Sequence, residues 1–275
     1  MPQINCKGQL IDLTSPKVMG ILNITPDSFF DGGKFSDIDS ILRQAEKMLN
    51  EGATFIDVGG YSSRPSAEHI SENEELQRIV PAIELLLKTF PDILISVDTF
   101  RSVVAKNCIE AGATLINDIS GGTLDDEMFA TVAQLQVPYI LMHMQGTPQT
   151  MQQHTSYENM IGEIIYYFSE KVYQLKNLNL NDIILDVGFG FSKTLEQNYE
   201  LLQKLHLFKS LDLPILTGLS RKSMIYKVLE TTSQNALNAT TAANTIALLN
   251  GTNILRVHDV KEATEAIKIV EATNR

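Results

Sequence analysis

The chain has 275 residues, 44% of them hydrophobic and 20% charged, which supplies a large core and excludes global disorder. Its formal net charge of −11 excludes the clustered Lys and Arg surface that nucleic acid needs, so any anionic ligand must be held by local basic residues against the global field. No window holds the ~20 apolar residues of a membrane span. Residues 1–13 lack the apolar run of a signal peptide, and Cys6 and Cys108 show neither metal-ligand spacing nor a disulfide framework. A cytoplasmic protein is expected.

In chain order, residues 4–13 carry Lys7-Gly8 between alternating flanks and predict a small hairpin, part of an extension over residues 1–16 that covers one end of the fold. Short apolar, β-branched runs then alternate with helix-period segments. Strand 18–22 precedes helix 38–51, 55–58 precedes 72–90, 93–97 precedes 101–111, and 115–119 precedes 125–136. Strand 139–142 precedes helix 157–178, 183–187 precedes 195–208, 214–219 precedes a long stretch through 236–249, and 253–257 precedes 261–272. Asp37 and Asp39 can cap the first helix and Gly52 lies past its end. Eight β/α cycles without a Pro/Gly/Ser-rich linker predict one domain over residues 1–275, a closed (β/α)8 TIM barrel rather than an open sheet; such barrels take ~250 residues.

The strand ends carry the functional signal. The eight runs lead into Asn23, Asp57, Asp98, Asn117, His143, Asp186, Ser220-Arg221-Lys222 and Arg256-Val257-His258-Asp259. Strand-end Asp and Asn often only cap the next helix, but Arg, Lys and His are poor caps. A ring of all these types at the C-terminal face of a barrel points to a ligand site. By the two-residue strand period Arg256 and His258 share a face, as do Ser96 and Asp98, and Ser220 and Lys222. Gly188–Thr194 resembles a phosphate loop, but Ser192 replaces the second Walker glycine, and a glycine-rich turn opening a helix is the better reading, with Phe191 presented to the mouth.

Together, Asn23-Ile-Thr-Pro-Asp-Ser-Phe29, Met142-His-Met-Gln-Gly146, Asp186-Val-Gly-Phe-Gly-Phe191, Ser220-Arg-Lys-Ser223 and Arg256-Val-His-Asp259 resemble the dihydropteroate synthase family over nearly the whole chain. The resemblance implies a transferase of folate biosynthesis, the target of sulfonamides. It joins 4-aminobenzoate to 6-hydroxymethyl-7,8-dihydropterin diphosphate and releases pyrophosphate by a dissociative route through a pterin methylene cation.

It also implies a division of the site. Asp186, Asn117 and Asp98 would meet the pterin N–H groups, Lys222 its acceptor edge and Arg256 its ring face, with Met142 and Gly218 as walls. Asn23 would hold Mg²⁺, and Ser63, Arg64, Arg256 and His258 the diphosphate oxygens. Ser63, Pro65, Phe191, Lys222 and Ser223 would receive aminobenzoate, with Phe29 and Asp31 closing over it. Asp98, Lys222, Arg256 and His258 would carry the catalytic work as electrostatic preorganisation. Segments 23–34 and 59–71 are long for βα connections and are expected to act as lids. A homodimer through late outer helices is implied as well.

Four positions depart from the common pattern: Tyr61 stands where Glu is usual, Ser63 where Thr is usual, Val187 where Pro is frequent, and Ser192 where Gly is frequent. A corrinoid-type pterin methyltransferase and a catalytically silent pterin-binding paralogue share the barrel. The first has no diphosphate to bind, and the second has no need of the anion-binding residues.

Overall fold

The computed structural model describes residues 2–24, 36–61 and 70–273. Strands β1 (Gln3–Cys6) and β2 (Gln9–Asp12) form the expected antiparallel hairpin. Both central turn residues, Lys7 at φ 53° and Gly8 at φ 86°, take the left-handed conformation that a two-residue hairpin needs. Two hydrogen bonds offset the cost to lysine: locally, Asn5 Oδ1 accepts from Gly8 N at 2.7 Å, and at long range Lys7 Nζ donates to Gly112 O.

Eight parallel strands close the barrel: β3 (Lys17–Asn23), β4 (Phe55–Gly59), β5 (Ile95–Asp98), β6 (Leu115–Asp118), β7 (Tyr139–Met142), β8 (Ile183–Asp186), β9 (Ile215–Thr217) and β10 (Ile254–Val257), with β10 pairing back to β3. Alternation sorts their side chains into two cores. Val18, Leu22, Ile56, Val58, Val97 and Leu185 face the surrounding helices. Met19, Phe55, Leu115, Ile140, Ile184, Leu216 and Ile254 fill the barrel, where Ile4, Cys6, Ile11 and Leu13 of the hairpin segment seal its N-terminal end. With that end packed, the C-terminal end is left for a ligand.

The outer layer comprises α1 (Ser36–Asn50), α2 (Glu72–Thr89), α3 (Ser102–Glu110), α4 (Met128–Leu135), α5 (Met160–Asn177), α6 (Leu195–Gln203), α7 (Ser223–Val228), α8 (Leu237–Leu249) and α9 (Val260–Thr273). Three strands, β6, β8 and β9, stop earlier than their apolar runs, and the first two do so at an aspartate. The Asp118 carboxylate accepts from Ser120 N and Gly122 N, and Asp186 Oδ1 from Gly188 N, so each aspartate turns the chain out of the sheet. The expected helix 195–208 ends at Gln203 and continues as a 3-10 segment, Leu205–Leu211. No helix among the described residues is long and apolar enough to cross a membrane.

Candidate active site

Register aligns the strand-end residues in two sets, because Asn117 pairs with Ile140 and not with Met142. Asn23 pairs with Gly59, Gly59 with Asp98, Asp98 with Asn117, and Met142 with Asp186. A Cβ on Gly59 would lie 3.4 Å from Asp98 Cβ and 3.8 Å from Asn23 Oδ1, so these two side chains face each other across a gap that glycine keeps open. One level down, Asp57 is buried at 1% exposure. Its Oδ2 accepts from Asn117 Nδ2 at 3.0 Å and from Arg256 Nε at 2.6 Å, while Arg256 Nη2 reaches Asp98 Oδ2 at 2.6 Å. Arg256 therefore crosses the mouth and is fixed by two carboxylates from different strands. Sequence reasoning placed Asp57 in the ring but assigned it no role; its position two residues after the inward Phe55 was the available signal.

Low dielectric dominates the electrostatics here. Burial lifts Asp98 to about 7, opposed by the Arg256 charge and assisted by Asp57. Burial also raises Asp186, with Lys222 opposing. Lys222 is drawn down to about 8 by burial against the pull of Asp186. Its ammonium donates to the Phe189 carbonyl and lies 4.7 Å from the Phe191 ring centroid. A Cβ on Gly218 would sit 3.8 Å from Lys222 Nζ, which puts Gly218 in the wall beside it. Met142 and Phe191 share an apolar cluster with Ile119, Met144 and Met151. Ser223 is the first residue of α7. This described half of the mouth is thus a polar floor with an apolar wall.

On the other side, Asn23 and His258 share a cavity of about 540 Å³ with Ser40, Arg43, Gln44 and Lys47. No carboxylate is among these described lining residues, an unusual local balance in an acidic chain. Ser220 Oγ accepts from His258 N at 3.2 Å and lies 3.0 Å from Nδ1, which ties the imidazole to the segment after β9. The α1 residues Arg43 and Lys47 escaped sequence reading because they follow no strand end.

Not every member of the ring faces the mouth. His143 is 2% exposed and packs on Tyr157, Tyr167 and Phe168, because it lies one residue past the inward Met142. Arg221, at φ 55°, forms a bidentate pair with Asp259, both bonds 2.8 Å, and donates to the carbonyls of Ser233 and Gln234. Those two ring members tie α7 and the segment before α8 to the end of β10. Phe29, Asp31, Ser63 and Pro65 of the expected aminobenzoate lip and Arg64 of the expected diphosphate site lie outside the described residues, as do residues 25–34 and 62–69 of the two expected lids.

The departures from the family pattern among the described residues have local explanations. Tyr61 OH accepts from Gln149 Nε2 at 3.0 Å, and its ring meets Phe100 edge-on at 5.1 Å, so it joins the loops after β4, β5 and β7. Val187 is buried in the main core. Ser192 sits at φ 45°, a conformation that favours glycine, and its Oγ accepts from Gln145 N at 2.9 Å. The Walker-like stretch is a turn followed by a Thr194 capping box on α6, and Lys193 points inward from it, 3% exposed.

The family model described as "Pterin binding enzyme" matches residues 19–258, from the first barrel strand to His258. This chain belongs to the pterin-binding enzyme family. Within it, the dihydropteroate synthase of Escherichia coli K12 is 43% identical over 269 residues, 97% of this chain and 95% of that protein. The Yersinia pestis dihydropteroate synthase in a sulfonamide drug complex superposes with a TM-score of 0.91 at 43% identity, covering 99% of each chain. The Xanthomonas albilineans dihydropteroate synthase with 4-aminobenzoic acid gives 0.92 at 33% identity, over 99% of this chain and 98% of that one. Family membership thus rests on residues 19–258, and the likeness to these relatives extends over nearly all of the chain.

Proposed function

We propose that the chain condenses 6-hydroxymethyl-7,8-dihydropterin diphosphate with 4-aminobenzoate to give 7,8-dihydropteroate and pyrophosphate. The observation that carries this reading is the inward cluster of Asp98, Asn117 and Asp186 at the barrel mouth, with Arg256 bonded to Asp98 and Lys222 in the field of Asp186, beside a cavity at Asn23 and His258 that has no carboxylate among its described lining residues. A pterin presents N–H donors along one edge and acceptors along the other. The carboxylates of Asp186 and Asp98 and the Asn117 amide suit the first edge; the Lys222 ammonium suits the second.

The leaving diphosphate needs cations. Arg256 and His258 supply N–H donors to its oxygens, and Arg43 and Lys47 add positive potential from α1. Arg64 and Ser63 belong to the same proposed subsite. Asn23 offers one amide oxygen, a hard donor that fits Mg²⁺ arriving with the diphosphate; no cluster of three His, Cys, Asp or Glu suited to a metal occurs among the described residues. Such an ion would neutralise charge on the leaving oxygens. The protein's own contribution is to hold opposite charges in fixed places as the C–O bond breaks: Arg256 toward the departing diphosphate, Asp98 and Asp57 toward the methylene cation. Aminobenzoate, against Phe191, Lys222 and Ser223 with Pro65 and Phe29, then traps that cation through its amine. No covalent nucleophile is required.

A homodimer is part of the proposal. Support comes from Val228, Leu229, Ile246, Leu249 and Ile269, exposed apolar side chains on and beside the late helices α7, α8 and α9. Incubation of the purified protein with Mg²⁺, dihydropterin diphosphate and aminobenzoate tests the reaction. Formation of 7,8-dihydropteroate together with equimolar pyrophosphate supports it; no dihydropteroate overturns it.

A further inference from the structure

Lys193 forms a buried arrangement that the proposed chemistry does not use. The side chain is 3% exposed, and its three donors go to Gly188 O at 3.0 Å, Phe191 O at 3.0 Å and His143 Nδ1 at 3.2 Å. None of these acceptors carries a formal charge. Burial draws the ammonium down to about 7, against the more distant charge of Asp186. An uncompensated buried cation is costly, and an apolar side chain of similar length would fill the same volume without that cost.

The acceptors indicate what the cation does. Gly188 at φ +71°, Gly190 at φ +80° and Ser192 at φ +45° alternate with residues of ordinary hand, and this alternation turns the Gly188 and Phe191 carbonyls toward one point. Gly188 is obligatory there, because a Cβ would lie 2.0 Å from His143 O. Lys193 occupies the point of convergence. The opposite edge of the same turn faces the site: Phe189 O receives Lys222 Nζ, the Phe191 ring lies against that ammonium, and Gly190 approaches the Lys222 side chain. At the head of the turn, Gly188 N donates to Asp186 Oδ1. One five-residue turn therefore has Lys193 on its inner edge and Lys222 on its outer edge.

We propose that Lys193 is a positioning residue, which holds residues 188–192 in the shape that seats Lys222 and Phe191 and so sets the binding of aminobenzoate. The substrate assignment rests on the functional reading above; the effect on the turn does not. His143 belongs to the same device as the neutral third acceptor, since burial and Lys193 hold its pKa well below the usual range.

The test is Lys193→Met, which keeps length and apolar bulk and removes all three donors. The expected result is a rise of about tenfold or more in the KM for aminobenzoate and a clearly smaller rise in the calorimetric Kd for dihydropterin diphosphate, because Phe191 meets aminobenzoate alone whereas Lys222 meets both substrates. A crystal structure of the variant should show Phe189 O withdrawn from Lys222 Nζ. A merely structural lysine would lower the melting temperature and leave the aminobenzoate KM unchanged, or weaken both substrates equally; either result overturns the proposal. If the Met variant fails to fold, Lys193→Gln, with two donors, should show the same selective rise at smaller size, and an unchanged KM overturns the proposal there too. Should wild type make no dihydropteroate, the functional reading falls by itself. The position of Phe189 O in the variant crystal then decides the role of Lys193.

Discussion

Arg256 Nε donates to Asp57 Oδ2 at 2.6 Å, joining the last barrel strand to the second across the intervening β3. With the second bond to Asp98, the guanidinium is fixed in a plane before any substrate arrives. Asp57 is fully buried, and its Oδ1 has no hydrogen-bond partner among the described residues, so its placement has an energetic cost that packing alone does not explain.

Asp57→Asn should therefore injure both stability and catalysis. Removing one partner of a buried pair costs about 3–5 kcal/mol, and the lower end applies because Asp98 still holds Arg256. Urea unfolding should show the loss, and kcat/KM for dihydropterin diphosphate should fall by about tenfold or more. A variant with wild-type kinetics would mean that Arg256 needs only Asp98.

The pH profile follows from the two shifted groups. Asp98 ionises above about 7 and Lys222 keeps its proton below about 8, so activity that needs both charges should peak between these values. Lys222→Arg should extend the alkaline limb, and Asp98→Asn should abolish the acid one at reduced rate. The sign for stability is opposite to that of an ordinary ion-paired carboxylate. Because the folded-state pKa of Asp98 is raised from 3.8, its contribution is present below that value and is lost as pH rises through about 7. A profile flat across this interval would argue against both assignments.

At the rim, Arg43→Gln should raise the KM for dihydropterin diphosphate severalfold and leave that for aminobenzoate unchanged, with the effect shrinking at high salt because Arg43 is exposed. Steady-state kinetics at two ionic strengths measures both parts.

Arg221 and Lys222 are adjacent in sequence and should fail in different ways. Arg221→Ala breaks the bidentate pair with Asp259 and should cost about 1–3 kcal/mol of stability with little change in either KM. Lys222→Ala should lose activity without comparable unfolding. Thermal melts beside kinetics of the two variants would separate them.

Much of this arrangement was legible from residue order. Alternation within strands put Asn23, Asp98, Asn117 and Asp186 on the inner face; register aligned the first three through Gly59, and Asp186 with Met142. Legibility ended where strands ended. His143 and Arg221 looked like members of the ring, yet a single step past a strand, or a left-handed φ, turned them away. Asp57 was visible but without a role until Arg256 was seen against it.

The eight-cycle pattern and the strand-end residue types were thus determined locally, by hydrophobic period and by side-chain chemistry. Tertiary structure decided which of those residues pair with one another, that Arg43 and Lys47 of α1 reach the rim, and that Lys193 turns inward to hold the glycine-rich turn. The physical reason is one of range. Periodicity reports which face of its own element a residue occupies, whereas a buried charge is placed by partners that folding brings from distant parts of the chain, as with Arg256 and Asp57, 199 residues apart.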